Sequence, residues 1–121
     1  MHKVAGFGGF FFRSENPGLL AAWYQKHLGI DPVPTSAEAT PWMQEGGATV
    51  FAPFPADTDY FGDPGKTFML NFRVTDLDAM VAQLQAGGVD VGDRTEMEGI
   101  GRFARIYDPE GNPIELWQPE A

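Results

Sequence analysis

The chain carries its own order twice. FFFRSENPGLLAAWYQKHLGI (10–30) and MLNFRVTDLDAMVAQLQAGGV (69–89) share one sequence of events. Each has an aromatic strand, a short capped junction, an amphipathic helix, a glycine stop and an apolar restart. Phe12-Arg13 corresponds to Phe72-Arg73 and Asn16 to Asp76, an offset of 60 residues. Internal repetition of this kind limits the fold more than any single motif does. A single β-α-β-β-β copy leaves one face of its sheet bare. Two copies must therefore pack together or against another chain.

The helices follow from local rules. Asn16 is a good N-cap and Pro17 suits the first helical position. Leu20, Trp23, Tyr24, His27 and Leu28 repeat at helical spacing, and Gly29 stops the run. This predicts a helix from Pro17 to about His27. Asp76 caps a second, roughly Leu77 to Gln85, with Leu77, Met80, Val81 and Leu84 on its stripe. His27, near a helix C-terminus, suits the helix dipole there.

The strands are read from period-two alternation. Val4 to Arg13, Ala48 to Phe54 and Thr67 to Val74 are expected strands, and Val89 to Val91 begins another. One or two short strands are expected within Ile30 to Gly47. Arg94 to Ile100 reads as a polar connection. Phe103 to Tyr107 and Ile114 to Trp117 form a closing hairpin around Asp108-Pro109-Glu110-Gly111-Asn112. That turn combines an Asp that bonds its following backbone, a φ-setting Pro and a Gly tolerant of positive φ. Pro55 to Lys66 is a polar loop carrying Tyr60 and Phe61, a length at which loops often act as lids or binding loops. Its Asp57, Asp59 and Asp63 lack the Gly and closing Glu of a calcium loop and read as solvated.

Size and charge narrow the function. The 121 residues, 43% hydrophobic, suit one domain with a core, divided into module one at about 1–60 and module two at about 61–121. The net charge of −9 disfavours nucleic acid or anionic membrane as the main partner, since both need a basic surface. Without cysteine there is no thiol nucleophile and no thiolate ligand. Val4 to Phe12 is too short and too glycine-broken to span a membrane. A soluble, cytoplasmic protein is expected.

Strand parity sorts the sheet into two faces. Phe10, Phe12, Leu70, Phe72, Val74, Ala104, Ile106, Ile114 and Leu116 belong under the helices. The other face carries Phe11, Arg13, Met69, Asn71, Arg73, Phe103, Arg105, Tyr107, Glu115 and Trp117. Aromatic walls with a few polar groups suit a small organic ligand. The same face equally suits a subunit interface over a filled core. Glu115 is the residue that stands out, because a carboxylate in a short apolar strand needs water, a partner or a ligand. It reads either as a general acid or base, or as an ion-pair partner of Arg105 or Arg73. Asn71 and Tyr107 suit ligand orientation by hydrogen bonds. Trp42 and Trp117 suit stacking on a flat ligand, and Met69 reads as apolar filler.

Three motifs together carry a family resemblance. Asn16 to Gly29 (N-P-x-x-L-x-x-W-Y-x-x-x-L-G), Phe72 to Gly88 (F-R-V-x-D-L-D…G-G) and Asp108 to Leu116 (D-P-E-G-N-P-I-E-L) are similar to the vicinal oxygen chelate superfamily. That group includes glyoxalase I, extradiol dioxygenases and bleomycin-resistance proteins. The resemblance implies an α+β fold of two βαβββ modules, with curled mixed sheets around a cavity, helices on the outer face and a homodimer. Metal-dependent members place two histidines and two further ligands in that cavity. Their positions fall here on Gly9, Met69, Glu115 and either Val50 or Phe51, so one of four donors is kept. No metal or other cofactor is expected. The resemblance thus implies a metal-independent binder of a small organic ligand, of the bleomycin-resistance kind. The alternatives are a lyase, isomerase or dioxygenase using Glu115, and a non-catalytic dimeric interaction module. Candidate ligand-binding residues are Phe11, Trp42, Met69, Asn71, Arg73, Phe103, Arg105, Tyr107 and Trp117, with Glu115 as the candidate catalytic group.

Overall fold

A computed structural model describes all 121 residues. Its chain order is α1 (Pro17–Leu28), β1 (Leu70–Arg73), α2 (Leu77–Ala86), β2 (Arg94–Met97), β3 (Gly101–Tyr107) and β4 (Pro113–Pro119). The architecture is α+β, with two helices on one curled mixed sheet.

Both helices begin and end as their sequences dictate. The Asn16 side chain accepts from the Leu19 amide and the Asp76 side chain from the Ala79 amide. These contacts satisfy donors that the first helical turn leaves open. Gly29 closes α1 in the left-handed region at φ 70°.

The sheet runs β1-β4-β3-β2. β1 lies parallel to β4, while β3 is antiparallel to both β4 and β2. The predicted hairpin is present, and Gly111 takes the positive φ its turn requires. Gly101 opens β3 at φ 141°, so close to β4 that a Cβ would strike the Gln118 carbonyl. Leu70↔Ile114 and Phe72↔Leu116 are in register, which aligns the apolar parity of both strands under the helices. The core is Leu20 and Tyr24 from α1, Leu77, Val81 and Leu84 from α2, and Ala104, Ile106, Ile114 and Leu116 from the sheet.

The DPEGN turn does more than reverse the chain. Asp108 is buried and accepts from the Tyr24 hydroxyl at 2.6 Å and from the Asn112 amide at 2.8 Å. Glu110 accepts from the Ser14 hydroxyl and from the Glu15 and Asn16 backbone amides. Lys66 donates to the Glu110 carbonyl and to Asn112. One turn near the C-terminus thus pins the start of α1 and the end of the 55–66 loop.

The structure departs from the sequence reading in the first half. Val4 to Arg13, the 30–47 stretch and Ala48 to Phe54 form no strand. Residues 1–15 and 40–54 make no backbone–backbone hydrogen bond. A strand needs a neighbouring backbone, and within one chain these segments have none. The two-module βαβββ arrangement and its shared cavity are not seen in this structure, whose one sheet comes from the second half. In the second half, Thr67 to Val74 shortens to Leu70–Arg73. Val89 to Val91 is irregular, with the Val89 amide still bonded to Leu84 at the helix end. Arg94–Met97 is a strand, not a polar connection, because β3 offers it an edge. Its side chains stay exposed, so alternation never appeared in the sequence.

Candidate functional site

Glu115 sits in the middle of β4, on the sheet face away from the helices, between Asn71 of β1 and Arg105 of β3. Its two oxygens are both engaged. The Asn71 amide donates to Oε1 at 2.8 Å, and the Tyr60 hydroxyl donates to Oε2 through a short contact. Arg105 faces Glu115 directly across the ladder yet forms no ion pair with it; the ion pairs of the chain join Asp78 to Arg94 and Arg102. Arg105 instead donates to the Tyr60 carbonyl at 2.9 Å and lies over the Tyr60 ring, 5.0 Å from its centroid. It also reaches the Tyr107 hydroxyl at 3.5 Å. Phe54 stacks beside Tyr60, with centroids 5.9 Å apart and 21° between planes. Burial and the Glu115 carboxylate hold the Tyr60 phenol protonated to higher pH than usual, and Arg105 opposes this.

Farther along the same face, Phe103 and Trp117 lie parallel, 5° between planes and 6.3 Å between centroids. The Trp117 indole donates to the Ile100 carbonyl and is largely buried within its own chain. The face therefore combines a carboxylate, an amide, a guanidinium and several aromatic rings. It can hold a planar molecule by stacking and fix it by hydrogen bonds.

A glyoxalase-like domain model matches residues 9–117. The chain belongs to that family. It lies in the vicinal oxygen chelate superfamily that its motifs resemble. Solved structures agree in fold. TnmS3, an antibiotic binding protein from Streptomyces sp. CB03234, is 22% identical over 99% of this chain and 100% of its own, with a TM-score of 0.67. A glyoxalase/bleomycin resistance protein/dioxygenase domain from Frankia sp. EAN1pec is 16% identical, covering 98% of this chain and 100% of its own, with a TM-score of 0.62. A bleomycin resistance determinant encoded on the transposon Tn5 is 20% identical, covering 89% and 92%, with a TM-score of 0.56. No curated protein matches the chain.

No group of three or more His, Asp or Glu side chains is placed to hold an ion. The neighbours of Glu115 are the Asn71 amide, the Tyr60 hydroxyl and, across the ladder, Arg105.

The predicted site residues divide. Asn71, Arg105 and Tyr107 gather around Glu115, and Phe103 and Trp117 extend the same face. Met69 lies one residue before β1, on the parity of Asn71 and half-buried. Arg73 turns elsewhere, donating to the Glu45 and Gly46 carbonyls. It neither pairs with Glu115 nor joins its cluster, because the first-half chain offers two carbonyls within reach. Trp42 packs edge-on against Phe72, which belongs to the helix side of β1, so it is not at this site. Phe11 is 91% exposed and touches no part of the cluster. Tyr60 and Phe54 were missed as site residues. Their signal was present as aromatic residues in and beside a polar loop, but nothing local says which carboxylate such a loop covers.

Proposed function

We propose that this glyoxalase-like chain binds a small organic molecule on the Glu115 face of its sheet, without a metal, and works as a homodimer. One observation carries the binding reading. Glu115 is held among an amide, a guanidinium and aromatic rings on a face the helices leave open. A neighbour of the same fold is an antibiotic binding protein, and sequestration of a drug-like molecule fits the aromatic character of this face. Phe103 supplies flat apolar surface, with the buried Trp117 ring stacked behind it. Asn71, Arg105, Tyr107 and Glu115 supply direction.

The dimer reading rests on the first half. Its unpaired extended segments expose Val4, Phe7, Phe10, Phe11, Val50 and Phe51. Bare backbone and apolar side chains together favour pairing with another sheet. A second copy offers free edges at its own β1 and β2, and would add a wall to each Glu115 face.

Thermal-shift screening against flat aromatic and cationic compounds, with and without EDTA, tests the binding reading. The expected result is a set of hits whose shifts survive chelation. An empty screen overturns it, and hits that vanish with EDTA overturn metal independence. Sedimentation velocity tests the dimer. Phe11→Arg with Phe51→Arg should give monomers from a dimeric parent, and a monomeric parent removes the proposal.

A further inference from the structure

Tyr60 occupies the Glu115 site in the way a ligand would. Its hydroxyl donates to one carboxylate oxygen, its ring stacks beside Phe54, and the Arg105 guanidinium lies over it. These are the three interactions by which an aromatic site holds an aromatic guest. Yet Tyr60 is 45% exposed. It stands in a loop of turns, not in the core. The loop has internal bonds at Thr58, Gly62 and Lys66 and is tied down at its end by Lys66 on the DPEGN turn. That leaves the Tyr60 side chain free to leave without disturbing either helix or the sheet.

Resting on the small-molecule reading above, we infer that Tyr60 is a built-in stand-in for the ligand. It marks a subsite for a flat aromatic ring with a hydrogen-bond donor at its edge, and it must swing out for that ring to enter. The donor requirement follows from Glu115, both of whose oxygens accept hydrogen bonds here. Oε1 keeps Asn71 throughout, so the guest needs one donor, aimed at Oε2. The ring requirement follows from Phe54 and Arg105, which present a stacking edge and a cation to whatever replaces the phenol. Arg105 is shared between states. With Tyr60 in, it bonds the loop carbonyl; with Tyr60 out, its guanidinium remains over the guest.

Because Tyr60 and the guest compete for one oxygen, weakening Tyr60 strengthens binding. The probe is 4-methylphenol, with 4-methylanisole as the same ring lacking a donor, titrated into 15N-labelled protein. Wild type should bind 4-methylphenol weakly, with shifts at Glu115, Asn71 and Arg105. Tyr60→Phe removes the competing hydrogen bond and should tighten 4-methylphenol by about tenfold, the lower end for one bond to a charged group. The same variant should tighten 4-methylanisole by a similar factor, because either ring needs Tyr60 out, while phenol stays the tighter of the two. Glu115→Gln should cancel the preference for phenol over anisole. Independently of any guest, Tyr60→Phe should speed hydrogen exchange at the Gly62 amide while β3 and β4 amides stay protected. No gain for either probe in Tyr60→Phe, or no shift from phenol in either protein, overturns the inference. A phenol that fails while other screened compounds still bind at Glu115 defeats the stand-in alone and leaves the binding reading intact.

Discussion

The two halves of the molecule carry the same order of residues and reach different ends. In the second half, β1, α2 and the β2–β3–β4 meander form a continuous sheet under a helix. In the first half only the helix appears. Its flanking segments stay extended, exposed and without backbone partners. The difference separates two kinds of instruction. A helix closes its hydrogen bonds within a dozen residues, so α1 needs only its cap, stripe and glycine stop. A strand closes its bonds with another strand, so its sequence states a preference that something else must satisfy.

Substitutions test this contrast, and the largest effect belongs to the second half. Leu116 is fully buried between β1, β3 and the helices. Leu116→Ala should cost about 2–5 kcal/mol and lower Tm by roughly ten degrees or more. Phe11→Ala, in the exposed first half, should be nearly neutral in dilute protein, within about 0.5 kcal/mol. At high concentration it should become destabilising, as a dimer contact is lost. Thermal melts over a hundredfold range of concentration separate the cases. A Phe11→Ala loss as large as that of Leu116→Ala in dilute protein would show that the first half packs on its own chain.

The joint between the halves comes next. Tyr24 in α1 donates to buried Asp108 in the second half, and burial together with that acceptor raises the phenol well above its ordinary range. Tyr24→Phe leaves a buried carboxylate oxygen with only Asn112 as partner. It should cost about 1–3 kcal/mol in chemical denaturation. A neutral result would mean that the helix is held by apolar contact alone. Within α1 itself, Asn16→Ala removes the cap on Leu19 and should cost about 1 kcal/mol, measured in the same way.

These elements also show how much the sequence made legible. Caps, stripes and stops placed α1 and α2 to within a residue, because each signal acts locally. The closing hairpin was legible because its turn chemistry and both alternating strands are contiguous. β2 was not, since an exposed edge strand such as Arg94–Met97 has no apolar alternation to read. Glu115 stood out because a charge in a short apolar strand demands a reason. Its neighbours Asn71, Arg105 and Tyr107 followed from parity. Arg73 and Trp42 did not stay with them, because a long side chain goes to whatever partner the surrounding chain presents. Tyr60 reached Glu115 across 55 residues of separation, a contact set by the path of a loop and invisible to periodicity.

The smallest expected effect discriminates most finely between the halves, because acid should loosen their joint before it loosens the second half. Ser14, then the Glu15 and Asn16 amides, hold the Glu110 carboxyl below its usual value of 4.5. Asp78 ties α2 to β2 and β3 through Arg102 and Arg94, which lower it from 3.8 to about 2. Both groups titrate lower in the folded chain than in the unfolded one. Each therefore adds stability that is fully present above its unfolded value and is lost as pH falls through its folded value. The Glu110 contribution should begin to fade below about pH 4.5, and the Asp78 contribution should persist until the pH falls from about 4 toward 2. Asp78 is exposed and Glu110 lies at the surface, half-buried, so each should move Tm by only a degree or two. Glu110→Gln should flatten the upper part of the Tm–pH curve and Asp78→Asn the lower part. The Trp23 part of the fluorescence, taken as the difference between parent and Trp23→Phe, and far-ultraviolet circular dichroism should separate first in the upper window, where Trp23 on α1 reports the joint and the sheet still reports the second half. Coincident transitions throughout both windows would mean that the halves unfold as one unit and that the DPEGN turn is part of a single cooperative core.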